Sequence, residues 1–384
     1  MTKRQQALLP DDPPRAAYIH VPFCRHRCGY CNFALVADRD DLLESYLAAL
    51  DRELSWLGGP FEVDTLYLGG GTPSHLPPPL LQQLLEMVLR RFTLAENYEF
   101  SMEVNPADVR QELVDVMEHY RVNRVSLGAQ SFSPRKLEIL ERDHGASGTE
   151  QAVRLLAKAI PSVSLDLIFA VPGESLEEWN TDLQHAIELA PQHVSTYGLT
   201  FEPGTAFERR RKQDEFQQVS EETERLMYET AIERLVASGM EHYEVSSFAQ
   251  SGKRSRHNET YWSGRSFFGV GPGAASYQQG RRVTNLRSTV GYLRRVHAGE
   301  SPVFEQDELG PEERARELLV LGLRRLEGVD ADQFEQHMGF SLEELAGPAL
   351  QRLVDLQLLE KTAAGIRLSR EGLLVSDSIW PELV

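Results

Sequence analysis

Cysteine is nearly absent: among 384 residues only Cys24, Cys28 and Cys31 occur. That leaves no disulfide framework of the kind that staples small secreted domains. Long apolar runs are also missing. Nothing approaches the roughly 18 consecutive apolar residues of a membrane span, and residues 1–14 are polar and proline-containing, unlike a signal peptide. These features predict a cytoplasmic chain in a reducing compartment, where free thiols serve as metal ligands more often than as bridges. Positive charge is in short supply as well, with 40 Lys and Arg against 58 Asp and Glu and a formal net charge of -18. Such a surface repels phosphate backbones, so no nucleic-acid partner is expected. The one basic run, Arg209-Arg210-Arg211-Lys212, reads as a solvated helix face. The hydrophobic content of 41% is that of an ordinary globular protein, long enough for a large barrel-like domain and a smaller appendage.

What the chain does have is concentrated. The three cysteines form one C-x-x-x-C-x-x-C motif directly after the strand-like run Ala17-Tyr18-Ile19-His20-Val21. A disulfide would close a very short, strained loop and strand the third thiol. Zinc would need a fourth ligand, which His20 or His26 is placed to offer, but such sites usually come as two separated pairs. Thiolates also suit iron-sulfur clusters, and a four-iron cube held by three of them keeps one iron open to a ligand.

From residue 16 to about 199, short apolar runs at 18–21, 64–68, 98–104, 124–127, 163–168 and 193–197 alternate with helical patterns such as Leu43, Tyr46, Leu47, Leu50 and Leu54. Strand then helix, six times over, predicts an α/β fold: a partial, open (βα)6 TIM-type barrel with function at the C-terminal ends of its strands. A further amphipathic helix is expected over 220–239 and a strand at 243–248, then a Gly- and aromatic-rich packed loop region over 252–280. Helices beyond Pro311 and a hairpin turning at Ala364-Gly365 suggest a small, mainly helical, winged-helix-like C-terminal domain. The expected divisions are a flexible N-terminus (1–15), core barrel (16–245), connecting region (246–300) and C-terminal domain (301–384).

Gly69-Gly70-Gly71-Thr72-Pro73 follows the second strand, where glycine lets a ligand approach the backbone and free N–H groups hold an anion. Polar residues recur at or near later strand ends: Glu103, Gln130, Arg142 and, inside an apolar run, Asp166. A carboxylate there costs several kcal/mol unless it is paired or hydrogen-bonded.

On these residues the sequence resembles the radical S-adenosylmethionine (SAM) superfamily. The resemblance implies a 4Fe-4S cluster on Cys24, Cys28 and Cys31, with SAM chelated to its open iron and cleaved by one electron from an unidentified donor. Within that superfamily, Tyr18 to Cys24, Tyr30-Cys31, the glycine motif, Glu103, Gln130, Arg142 and Asp166 resemble the anaerobic coproporphyrinogen III oxidase family. The matching SAM contacts are Tyr18 at the methionyl end, Tyr30 by the adenine, Gly70, Gly71 and Thr72 at the amino group, and Glu103, Gln130, Arg142 and Asp166. Phe33 stands where oxidases carry a further cysteine, and the N-terminal extension is shorter than theirs. Both departures, with the H-N-x-x-Y-W stretch His257 to Trp262, resemble the family's haem-chaperone branch. That branch binds haem and passes it to acceptor proteins, membrane proteins among the conceivable ones, and His257, Tyr261 and Trp262 become the haem candidates. His257 offers an imidazole and its neighbours flat apolar surface; as the bland alternative, His257 is a hydrogen-bonded core residue and the aromatics pack the barrel. An oxygen-independent oxidative decarboxylase is the competing function.

Overall fold

The computed structural model describes residues 13–278 and 280–384. The N-terminal segment expected over 1–15 falls, up to residue 12, outside them. Nine strands form the main sheet: β1 (Ala16–Val21), β2 (Phe61–Gly70), β3 (Phe92–Val104), β4 (Arg124–Gln130), β5 (Ser162–Phe169), β6 (His193–Gly198), β7 (Glu241–Glu244), β8 (Ser247–Ala249) and β9 (Phe268–Val270). Their order is β9-β1-β2-β3-β4-β5-β6-β8-β7. Every pairing from β9 to β6 is parallel, while β8 pairs antiparallel with both β6 and β7. The longer helices between successive strands are α1 (Leu43–Trp56), α2 (Pro78–Arg91), α3 (Gln111–His119), α4 (Ala146–Leu156), α5 (Leu176–Glu188) and α6 (Glu221–Ala237).

Their sequences explain why these segments form. α1 presents Leu43, Tyr46, Leu47, Leu50 and Leu54 to the sheet at helical spacing. α5 opens with a capping box in which Ser175 and Glu178 satisfy each other's backbone N–H groups. Along β2, buried Leu66 and Leu68 alternate with Thr65, Tyr67 and Gly69, so one set meets the helices and the other the barrel interior.

The six-strand αβ repeat is as expected, and three details differ. β3 begins at Phe92, six residues before the expected start. The expected strand at 243–248 is two short strands of an antiparallel hairpin. The stretch read as packed loops holds α7 (Arg256–Trp262) and β9, which adds to the sheet beside β1. The principal apolar cluster accordingly runs from Ala17 to Val296, past residue 245.

A second cluster spans Ala315 to Leu383. It is built from α8 (Pro311–Leu323), α9 (Ala331–Met338), α10 (Leu342–Asp355) and a small antiparallel sheet. In that sheet Gly365–Leu368 pairs with both Val329–Asp330 and Leu359–Lys361. Helices closed by a three-stranded wing match the expected winged-helix-like form.

Candidate functional site

Because β1 to β6 run parallel, their C-terminal ends share one rim, and the sequence-predicted residues collect there. The loop after β1 carries the three cysteines, all half-buried and free. Thr72, at the end of the glycine turn, has its hydroxyl 3.1 Å from Cys24 Sγ. Arg142 Nη1 lies 3.7 Å from Cys28 Sγ while Nη2 donates to the Gly128 carbonyl, and its Nε is buried without a partner. Burial pushes the Cys24 thiol up to about 12. A cationic centre bound by this thiol would reverse that shift, since metal ligation requires the thiolate. Of the two histidines of the zinc alternative, His20 has both ring nitrogens engaged, whereas His26 is exposed and engages only Nε2. His20 is held by the Tyr18 hydroxyl on Nδ1 (3.0 Å) and the Ala34 carbonyl on Nε2 (2.7 Å), and His26 pairs with Glu141. Among the described residues, no three His, Cys, Asp or Glu side chains are spaced to hold a single metal ion.

The glycine turn does not work as the sequence suggested. Gly70 N–H donates to Glu103 Oε2 (2.9 Å), Gly71 N–H to the Val21 carbonyl (2.8 Å) and Thr72 N–H to the Phe23 carbonyl (2.8 Å). Its donors are therefore already used, which suits a ligand amino group better than an anion: an ammonium needs acceptors. The glycines are needed for closeness. Gly70 has φ +109°, and a Cβ there would lie 2.4 Å from the His20 ring; one on Gly71 would lie 2.7 Å from the Phe23 carbonyl oxygen.

Glu103 also accepts from the Tyr67 hydroxyl (3.0 Å). Burial, reinforced by the charge of Asp166, outweighs these two donors and raises its carboxyl to about 7. Asp166 accepts from Ser126 Oγ (2.7 Å), and burial raises it too. Gln130 ends β4 in the left-handed region at φ +62°. Tyr30 meets Phe207 edge-on at 5.9 Å. The structure thus brings Tyr18, Tyr30, Gly70, Gly71, Thr72, Glu103, Gln130, Arg142 and Asp166 to one end of the barrel.

Sequence reasoning missed three participants. Tyr67 positions Glu103, and only its alternation with Leu66 and Leu68 hinted that it faces inward. Glu141 accepts from Gly29 N–H (2.8 Å), pairs with Arg210 (3.0 Å) and thereby clamps the cysteine loop. Arg210 belongs to the basic run read as a solvated face; its guanidinium also stacks over Phe207 and Phe216.

The H-N-x-x-Y-W helix lies elsewhere. Glu99 on β3 accepts from the backbone N–H groups of Arg256 and His257 (3.1 and 2.9 Å), which seats α7 against the sheet. His257 is 1% exposed and stacks on Tyr67 at 5.1 Å. Its Nδ1 meets Thr65 Oγ1 at 2.9 Å and its Nε2 the Tyr261 hydroxyl at 2.7 Å. The open imidazole expected of a haem ligand is therefore a core histidine with both nitrogens engaged, held neutral because burial lowers it to about 3. Tyr261 and Trp262 instead line a groove of about 1080 Å³ between α7, α8 and α9.

An open parallel barrel with a three-cysteine loop and a polar strand-end rim defines a protein of the radical SAM class. Residues 18–186 match the Radical SAM superfamily and residues 309–375 the HemN C-terminal domain. The fold superposes on the Escherichia coli coproporphyrinogen III oxidase (HemN) with a TM-score of 0.86 at 21% identity, over 99% of this chain and 92% of that one. The Heme chaperone HemW of Lactococcus lactis is 33% identical over 97% of each chain, and that of E. coli K12 33% identical over 96% of this chain and 97% of its own. A zebrafish relative, radical S-adenosyl methionine domain-containing protein 1, mitochondrial, is 32% identical over 96% of this chain and 86% of its own. The chain belongs to the HemW family.

Proposed function

We propose that this protein is a haem chaperone: it binds haem and delivers it to acceptor proteins, on a radical SAM scaffold in the cytoplasm. No helix among the described residues is long and apolar enough to cross a membrane. The barrel runs to about residue 300 and the C-terminal domain from there on. Cys24, Cys28 and Cys31 hold one 4Fe-4S cluster. The all-thiol donor set suits iron-sulfur chemistry, and the unpartnered Arg142 Nε leaves a buried cation beside the thiols. When bound, the cluster and SAM supply one-electron cleavage of a sulfonium, fed by an external reductant.

The chain's own residues then have distinct tasks. Gly70, Gly71 and Thr72 admit the ligand's amino group, Glu103 and Tyr18 flank it, Tyr30 packs by the adenine, and Gln130, Arg142 and Asp166 complete the polar rim. Tyr261 and Trp262 offer the haem their flat faces, while His257 positions Tyr261 from inside the barrel.

The observation that carries this reading over the decarboxylase is Phe33, 61% exposed, at the position where the oxidases have a further cysteine. The phenyl group of Phe33 has no titratable or metal-ligating atom with which to take over a thiol's chemistry there. The test is anaerobic incubation with coproporphyrinogen, SAM and dithionite. No protoporphyrinogen is expected, although SAM should alter the EPR spectrum of the reduced cluster. Turnover to protoporphyrinogen would establish the oxidase reading instead, and an EPR spectrum indifferent to SAM would remove the SAM site.

A further inference from the structure

A cluster of charges lies buried behind the polar rim. Lys136, on the short helix Pro134–Ile139, has no exposed side-chain surface, its partner Glu174 has none, and its other partner Asp182 has 1%. The ammonium donates to Glu174, to Asp182 Oδ2 (2.7 Å) and to the Ile168 carbonyl (3.1 Å), and lies 5.2 Å from the centre of the Trp179 ring. Two carboxylates around one ammonium are costly to bury. Their desolvation commonly exceeds their attraction, and well-packed apolar side chains of similar volume hold a core at least as well. Core stability is therefore a poor account of this triad.

Its connections lead to the site. Asp182, on α5, accepts from Ser131 Oγ (2.6 Å) and Phe132 N–H (2.7 Å), the two residues directly after Gln130. Glu174 accepts from the N–H of Val171 (2.9 Å), the residue directly after Ala170. Gln130 at the end of β4 and Ala170 just past β5 are both in the left-handed region, at φ +62° and +60°. Non-glycine residues persist there only where the surrounding structure over-determines them. Each strained exit is thus followed by a backbone N–H fixed to a carboxylate, and the ammonium ties the two carboxylates together. The first exit carries Gln130 and also sets Arg142, whose N–H donates to the Leu137 carbonyl of the Lys136 helix (2.9 Å). The second sets Ile168 and Val171, members of the apolar cluster on which Tyr30 packs.

We infer that Lys136, with Glu174 and Asp182, is a positioning group of the SAM site: it locks the exits of β4 and β5 in the arrangement that presents Gln130, Arg142 and the apolar cluster beside Tyr30 together. The inference rests on the SAM reading of the rim and adds to it a residue buried behind the rim, which acts through the others.

The experiment compares the full-length, anaerobically reconstituted parent with two variants. Lys136→Met/Glu174→Gln/Asp182→Asn removes all three charges at once, so no buried ion is left unpaired, and the amide oxygens can still accept from Val171, Ser131 and Phe132. Ser131→Ala removes a single link between the first exit and Asp182. SAM affinity is read from the EPR spectrum of the reduced cluster, cluster content from iron and sulfide, stability from urea unfolding and local order from amide hydrogen exchange. The triple variant should fold and keep its cluster but lose about tenfold in SAM affinity, as when the competent arrangement is populated about one tenth of the time. Its exchange should quicken over residues 130–142 and 168–174 and stay parental in the other strands. Ser131→Ala should lose about threefold in SAM affinity at parental cluster content, the effect of one hydrogen bond. Parental SAM affinity in a folded triple variant overturns the inference, and so does exchange that quickens evenly over the whole barrel. If the triple variant does not fold, Ser131→Ala decides: weaker SAM binding supports the inference and parental affinity overturns it. A parent whose spectrum ignores SAM overturns the SAM site itself and the inference with it.

Discussion

Replacing Glu103 by glutamine separates the role of this side chain in binding from its cost in folding. The carboxyl moves from an ordinary 4.5 to about 7 because burial near Asp166 outweighs its hydrogen bonds to Gly70 N–H and the Tyr67 hydroxyl. Between those two pH values the folded protein holds the proton more tightly than the unfolded chain does. The stabilisation is therefore fully present below about pH 4.5 and lost as pH rises through about 7. At about 1.4 kcal/mol per pH unit the full difference is about 3 kcal/mol. Water reaching the half-open barrel mouth screens part of this and leaves about 2 kcal/mol. Glutamine is neutral throughout, so the Glu103→Gln protein without cluster or SAM should gain about 2 kcal/mol on the parent between about pH 5 and pH 8. Urea unfolding of both proteins across that range measures it, and titration of other groups cancels in the difference. At the same time SAM affinity should fall, since an acceptor for the ligand is lost. A stability difference that does not change with pH would refute the argument that Glu103 is ionised at a cost.

Three other substitutions follow from the same geometry. Alanine at any of Cys24, Cys28 or Cys31 should abolish the cluster's absorption and its iron and sulfide content, and reconstituted parent protein containing zinc without sulfide would contradict this. Lys136 is wholly buried between Glu174 and Asp182 and also donates to the Ile168 carbonyl at 3.1 Å; Lys136→Met leaves two buried carboxylates unpaired and should cost about 3–5 kcal/mol in denaturant unfolding. Gly70→Ala places a methyl against the His20 ring at a positive φ, so it should lower stability by about 1–3 kcal/mol and weaken SAM binding, read by calorimetry.

How far the sequence anticipates these features depends on the range of the interactions involved. The cysteine loop is local, and its spacing alone announces a soft-metal site. The six βα repeats are periodic over long windows and equally plain. β9 is only Phe268-Gly269-Val270, too short to carry a period, and becomes a strand only because β1 offers it an edge. The glycine turn read as an anion cradle because glycine frees the backbone. What settles its N–H groups is the register of β1 on β2 and the reach of Glu103 from β3. His257 is the clearest case of what stays hidden. Its neutral, fully engaged state depends on Thr65, a residue 192 positions away, and on the Glu99 carboxylate that seats its helix. The groove beyond Trp262 depends on α8 and α9 from the C-terminal domain, whose placement no short motif announces.

The central claim, that this scaffold carries haem to other proteins, is tested most directly by a transfer experiment. The anaerobically reconstituted protein is loaded with one equivalent of haem and mixed with an apo haem protein, and the Soret bands of donor and acceptor are followed in time. Stoichiometric loading followed by growth of the acceptor's spectrum at the donor's expense is the predicted result. Failure to load haem, or a loaded complex that never releases it to any acceptor, would contradict the account.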